Sequence, residues 1–319
     1  MQTITGTDIN KAKHFLQQGE VVGIPTETVY GLAANALNTD AVLKIFTVKK
    51  RPHFDPLIVH THSITEVEKY VQHLPAAAQK LMHAFMPGPL TVLLPKQDIV
   101  PDLVTSGLPN VAIRIPDHAL TLQLLRSLPF PLAAPSANPF GYISPTTAQH
   151  VFDQLQGQVP YILDGGATQV GVESTIVGFE NNQVVVYRLG GLAIEQLAQV
   201  AGPVKLNVIE SANPQSPGQL KSHYAPRKPL VVKNFDEAAA TGEADKVGVI
   251  AFDTYVAGID TQNQLLLSPS GNLNEAAKNL FAAMRQLDNS TVDYIIAVRF
   301  PETGLGRAIN DRLKRASAN

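Results

Sequence analysis

Pro25-Thr26-Glu27-Thr28-Val29-Tyr30-Gly31-Leu32 follows the short apolar run Val21-Val22-Gly23-Ile24, which reads as a buried strand. Pro25 ends that run with a fixed φ, and the next positions offer hydroxyls, a carboxylate, a phenol and a backbone-permissive Gly31. Ala33-Ala34-Asn35-Ala36 comes next, then a helical pattern from Asp40. In an α/β sheet the end of a strand is where such groups face a ligand crevice. A polar strand-to-helix turn would have the same composition. What separates the two readings is that further apolar segments, each opening into a small polar loop, follow along the chain.

Composition narrows the class. The chain has 319 residues, enough for one large domain or two ordinary ones. Hydrophobic residues make up 45% and charged residues 16%, the balance of a globular protein rather than a disordered one. With a formal net charge of -2, contact with nucleic acid would need a local basic patch. The absence of cysteine excludes disulfides, thiolate zinc sites and a Cys nucleophile, and fits a reducing compartment. No basic-apolar leader or membrane-length apolar run is present, so the expectation is a soluble, cytoplasmic protein.

Outward from the octet, helices are expected at Asp8–Gln18, from Asp40 to the basic knot Lys49-Lys50-Arg51, from the Ser63 capping box to about Gln72, at Pro75–Phe85 and at His118–Leu128. Strands are expected at Pro56–His60, Leu90–Leu94, Val111–Pro116, Pro131–Ala134 and Tyr161–Asp164, with a closing pair at Glu173–Val177 and Val184–Gly190. Thr105-Ser106-Gly107 reads as a loop, Ser144-Pro145-Thr146-Thr147 as a helix cap, and Ile194–Val200 as a helix stopped by Gly202. Composition then shifts: 206–228 is rich in Pro, Ser, Asn and Gln and has no hydrophobic period, so it reads as a linker between domains 1–205 and 229–319. The second domain repeats an α/β pattern, with strands at Leu230–Val232, Val247–Phe252, Leu265–Leu267 and Ile295–Val298. Its main helix carries Leu273, Ala276, Ala277, Leu280, Phe281, Met284 and Leu287 on one face.

The familiar catalytic signatures are missing. There is no Walker loop, dinucleotide fingerprint, H-E-x-x-H or G-x-S-x-G elbow, and no two-carboxylate acid/base site. His60 and His62 share a strand face without a third ligand, so no residue is assigned to a metal. What remains is a set of polar groups at strand ends. Lys49 and Arg51 would suit a polyphosphate, although cations also complement a helix C-terminus. Arg114, flanked by Ile113 and Ile115, needs a partner or ligand if it points inward. Ser136, Asn138, Ser144 and Ser174 are neutral groups able to orient a carboxylate, amide or phosphate.

Six ordered segments carry a resemblance: Thr26–Leu32, Lys49-x-Arg51-Pro52 with Pro56-Leu57, Pro87-Gly88-Pro89-Leu90-Thr91, Val111-x-x-Arg114-x-Pro116, Ala134–Asn138 and Gly171–Thr175. Together the sequence resembles the YrdC-like threonylcarbamoyl-AMP synthases. Ser216-Pro217-Gly218, His223-Tyr224-Ala225-Pro226 and the second domain resemble the long, two-domain branch. The resemblance implies a YrdC-like α/β domain with a twisted, open sheet and a concave ligand face, plus a smaller Rossmann-like α/β C-terminal domain. It also implies a nucleotidyltransferase joining L-threonine, bicarbonate or CO2 and ATP, with Mg²⁺, into threonylcarbamoyl-adenylate and pyrophosphate. The product would pass to downstream threonylcarbamoyl-transferase proteins that modify tRNA, with at most a weak tRNA contact by this chain and none with a membrane.

Position by position, the resemblance puts Thr26, His60, Arg114 and Ser174 on the amino acid and Lys49 with Arg51 at the catalytic phosphates. Arg51, Asp55, Asn110, Ser136, Asn138, Ser144, Arg188 and the linker's Tyr224 fall on ATP. Asp55 stands where the family pattern has Asn, and Asn110 where Thr is common. The rival class is an RNA-binding module acting on tRNA or rRNA without adenylate chemistry. Aromatics at 6% and a slightly acidic chain count against it. Carbamoyl transfer in hydrogenase maturation uses a similar domain, but beside zinc-finger cysteines that this chain lacks.

Overall fold

The computed structural model describes residues 1–181, 183–208, 223–239 and 246–318. Its strands are β1 (Ile4–Gly6), β2 (Val22–Ile24), β3 (Gly31–Asn35), β4 (Ile58–His60), β5 (Leu90–Pro95), β6 (Asn110–Arg114), β7 (Leu132–Ala133), β8 (Tyr161–Leu163), β9 (Thr175–Glu180), β10 (Gln183–Arg188), β11 (Val204–Leu206), β12 (Leu230–Lys233), β13 (Val247–Ala251), β14 (Gln264–Leu266) and β15 (Tyr294–Val298). The helices are α1 (Ile9–Gln17), α2 (Thr39–Lys49), α3 (Ile64–Val67), α4 (Ala76–Phe85), α5 (Asp102–Thr105), α6 (Ala119–Ser127), α7 (Ala148–Leu155), α8 (Ile194–Ala201), α9 (Phe235–Ala239), α10 (Leu273–Asp288) and α11 (Gly306–Ala316).

The first eleven strands form one twisted, open mixed sheet, ordered β1-β8-β2-β3-β7-β4-β6-β5-β9-β10-β11. The octet does not lead from a strand into a helix. It links two antiparallel neighbours, β2 and β3, which pair Val22 with Ala33 and Ile24 with Gly31. Helices cover both sheet faces, which is why the middle strands are apolar on both sides. Residues of α2, α4, α5, α7 and α8 pack on Leu32, Val59, Val111 and Ile113. On the other face α1 and α6 set Ala12, Leu16, Leu124 and Leu125 against Val22, Ile24, Leu132 and Ala134. Period-two alternation continues that second face through Ile58 and His60 on β4 and Ala112 and Arg114 on β6. There the two helices stop.

The second sheet is wholly parallel, ordered β12-β15-β13-β14, and α10 and α11 cover it. Its apolar cluster includes Val29, Ile143, Val172 and Tyr224 from outside that domain, so the two sheets share a core. Gly171 lets them approach: at φ +78 it has no side chain, and a Cβ there would lie 2.4 Å from Lys278 Cα and 2.5 Å from Ala277 O on α10.

Several local expectations need correction. The helix at Ser63 spans only Ile64–Val67. The cap before α7 is Thr147, whose side chain accepts from His150 N, while Ser144 turns inward. The loop at Thr105 closes a short helix, α5, and β11, α9 and α11 are additional. Ser216-Pro217-Gly218 lies outside the described residues. Among those residues no helix is long and apolar enough to cross a membrane.

Candidate active site

Where α1 and α6 stop, a cavity opens on the sheet face. Its walls include Arg51, Ile58, His60, Arg114, Ser136, Glu173, Arg188, His223 and Tyr224. The parallel pairing of β4 with β6 sets His60 opposite Arg114. The octet then folds over that corner. Thr26 Oγ1 donates to Val29 O at 2.6 Å and accepts from the N–H groups of Thr28 and Val29, a hydroxyl-stabilised turn. This presents Thr28 Oγ1 to Arg114 Nη2 at 2.8 Å, and Glu27 Oε1 pairs with the same nitrogen at 2.7 Å. Arg114 Nε donates to Gly88 O, while Glu27 Oε2 accepts from Asp117 N. Arg114 is therefore inward and partnered. Burial, reinforced by the Arg114 charge, pushes the His60 pKa down to about 3, so the imidazole is neutral.

The opposite wall begins at the end of α2. Lys49 is 1% exposed, and its Nζ donates at 2.5 Å to Ser136 O and Asn138 O, so the ammonium is held by carbonyls. Burial, then repulsion from Arg51, drives its pKa well below the ordinary lysine value. Arg51 pairs with Asp55 at 2.8 Å and donates to the carbonyls of Asp55 and Pro56. Burial raises the Asp55 pKa, a shift opposed by the Arg51, Lys49 and Arg188 charges. Arg188 reaches Ser174 through both O and Oγ, and burial brings its pKa down to about 10. Ser144 Oγ donates to Glu173 Oε1 at 2.6 Å, and Arg312 Nε on α11 donates to Glu173 Oε2 at 2.7 Å.

Tyr224 closes the top. Its φ is +66, it is 1% exposed, and its ring stacks on Phe281 of α10 with the Arg312 guanidinium 5.1 Å from its centroid. His223 N donates to Arg315 O and Ala225 N to Gly141 O, so both domains anchor this strap. The cavity beneath has a free volume of about 50 Å³.

Of the residues expected from sequence, Arg51, His60, Arg114, Ser136, Arg188 and Tyr224 line the cavity. Thr26, Lys49, Asp55, Asn138, Ser144 and Ser174 lie behind that lining and hold it. Asn110 shares the face of Arg114 but stands at the other end of β6, in a separate depression with Leu93, Glu180 and Tyr187. Sequence reasoning quoted Glu27, Glu173 and His223 without giving them roles, and passed over Arg312. Among the described residues that line the cavity, three guanidinium groups, Arg51, Arg114 and Arg188, stand with one carboxylate, Glu173. The excess is positive, which suits an anionic ligand, and no Ser–His or Cys–His nucleophile is built among the described residues.

Comparison with known proteins identifies the family. Residues 14–190 match the Sua5/YciO/YrdC family model, described as "Telomere recombination", and residues 192–318 match "Threonylcarbamoyl-AMP synthase, C-terminal domain". The threonylcarbamoyl-AMP synthase of Pyrococcus abyssi is 39% identical over 97% of this chain and 94% of its own length. That of Bacillus subtilis is 41% identical over 97% and 92%. The crystal structure of P. abyssi Sua5 complexed with L-threonine superposes with a TM-score of 0.91 at 38% identity, covering 99% of this chain and 98% of that one. The chain belongs to the threonylcarbamoyl-AMP synthase family of enzymes.

Proposed function

We propose that the protein condenses L-threonine, CO2 (from bicarbonate) and ATP into threonylcarbamoyl-adenylate and pyrophosphate. The free threonine amine adds to CO2 and gives up a proton to solvent, and the carbamate oxygen so formed attacks the α-phosphorus as pyrophosphate leaves. Because the substrate supplies the nucleophile, the protein's task is to orient the reactants and stabilise charge. The observation that carries this reading is a cavity ringed by guanidinium groups, with a neutral His60 and, among the described residues, no Ser–His or Cys–His nucleophile. Arg114 keeps Nη1 for the threonine carboxylate while Glu27, Thr28 and Gly88 fix its other nitrogens. Lys49 sets the 136–138 loop, and Arg51 and Arg188 face the phosphates. Asn110 extends the same face for the nucleoside end. Product would pass to the proteins that complete threonylcarbamoylation of tRNA.

Magnesium fits this scheme as a companion of ATP. Both Asp55 carboxylate oxygens are buried without a hydrogen-bond donor, and Oδ2 lies in an ion pair with Arg51. Among the described residues no group of three or more His, Asp or Glu could hold a metal ion. Phosphate oxygens and water would supply most ligands, as Mg²⁺ prefers, and the ion would offset phosphate charge.

A free volume of about 50 Å³ admits a water or two, whereas ligand sites usually need about 300 Å³ or more. The His223–Tyr224 strap therefore lifts for ATP to enter, which makes the linker a gate. Deleting 211–225 reduces turnover in folded protein on this reading, and unchanged kinetics overturn the gate. Pyrophosphate release that requires Mg²⁺-ATP, L-threonine and bicarbonate together, with an adenylate product, tests the synthase. Release independent of threonine and bicarbonate refutes it and favours the RNA-binding class.

A further inference from the structure

Arg312 comes from α11, near the end of the second domain, yet its side chain ends in the wall of the first domain's cavity. It is 0% exposed. Besides Glu173, Nη2 donates to Leu189 O at 2.8 Å and Nη1 to Asp311 at 2.7 Å. The same guanidinium lies against Tyr224, and one turn further on the carbonyl of Arg315 holds His223 N. Glu173 and Tyr224 both line the cavity. None of these contacts involves Thr28, His60 or Arg114.

We propose that Arg312 is a positioning residue for the nucleotide wall: it fixes the Glu173 carboxylate and seats Tyr224, so the C-terminal domain tunes nucleotide binding and leaves threonine recognition to the first domain. Three hydrogen bonds, one from each nitrogen, and one ring contact converge on a single planar group, a geometry an ammonium cannot reproduce. Burial alone would raise the Glu173 pKa; Arg312, then Arg188 and Ser144, outweigh it and hold the group below the ordinary value. Without Arg312, Glu173 turns toward Arg188, the remaining cation within its field, and withdraws that guanidinium from the phosphates. Tyr224 loses one of the groups packed on its ring, Phe281 remaining.

This assignment rests on the synthase reading, so its test has one arm that needs turnover and one that does not. Full-length R312Q and R312K are compared with the unsubstituted protein for KM of ATP and threonine, and for amide exchange of the 223–226 strap without ligand. R312Q is expected to raise the ATP KM by about tenfold, to leave the threonine KM within about twofold, and to speed strap exchange. R312K, which keeps charge without the fork, falls between them. Equal rises in both KM values, or unchanged exchange with an unchanged ATP KM, overturn the proposal. If the unsubstituted protein makes no adenylate, the synthase reading fails alone, and exchange decides for Arg312: faster supports the seating of Tyr224, unchanged refutes it. Should R312Q not fold, R312K is judged by the same criteria.

Discussion

His60 and Arg114 stand side by side because two parallel strands hold them in register, whereas Tyr224 reaches the opposite wall from the linker and Arg312 from the last helix of the C-terminal domain. The first corner is assembled by local pairing and stays built whatever the strap does. The second exists only while a linker segment and a distant helix are docked. A rigid corner suits recognition of a small amino acid; a wall that comes apart suits a bulky ligand that must enter and leave.

The largest effects should come from cutting the rigid corner. Arg114→Gln is expected to lower kcat/KM by about 10²- to 10³-fold in pyrophosphate release. It also leaves Glu27 buried without its partner, at a cost of about 3–5 kcal/mol in denaturant unfolding. Adding Glu27→Gln should return much of that stability and none of the activity. If the double variant is no more stable than the single, the pair is not the source of the loss.

Cutting the movable wall should be milder and one-sided. Tyr224→Ala is expected to raise the ATP KM by about tenfold while threonine binding, measured by calorimetry, stays within about twofold. A matching loss of threonine affinity would erase the distinction between the walls.

Acid should strain both walls, through one histidine each. Burial and then Arg114 hold His60 down at about 3, and burial and then Arg51 hold His223 well below 6.5. Both are neutral in the fold, and both take up a proton on unfolding below pH 6.5. Burial also holds His150 down at about 4, so the unfolded state binds up to three more protons and stability falls as pH drops from 6.5, at up to about 4 kcal/mol per pH unit. His60→Gln or His223→Gln should each remove about a third of that slope. In Tyr224→Ala the His223 share disappears as the strap loosens, while the His60 share persists. A pH-independent unfolding midpoint across that window would contradict the burial of both rings.

The smallest effect belongs to Thr28→Val, which removes one hydroxyl that accepts from Arg114. About a threefold rise in threonine KM, with ATP KM unchanged, is the expected result.

The same contrast explains what could be read from the sequence. Arg114 between two isoleucines on a strand announces a buried charge, and the apolar runs around β4 and β6 put it on the sheet. The octet's polarity was equally plain, but its span between antiparallel strands was not, because a single chain does not show which strands pair. Arg312 was invisible for a different reason. In Arg307-Ala308-Ile309-Asn310-Asp311-Arg312-Leu313-Lys314-Arg315 the charges read as a solvated helix face, yet Arg312 and Arg315 are buried at 0% and 3%. Long-range ion pairing overrode the polarity pattern. Ser144 misled similarly: a Ser before Pro resembles a cap, and only its distant partner Glu173 shows that its hydroxyl is spent elsewhere.

Gly171 bears on how such a protein can be inherited. The backbone of α10 lies closer to it than any side chain would allow, so even one added methyl group would push apart two domains that share an apolar core. A C-terminal domain borrowed from a relative would have to bring a helix shaped for that gap, an arginine at the reach of Arg312, and a first domain with a glycine waiting. Within this chain the two halves are thus fitted to one another at that contact, and a change at Gly171 has to be answered on α10.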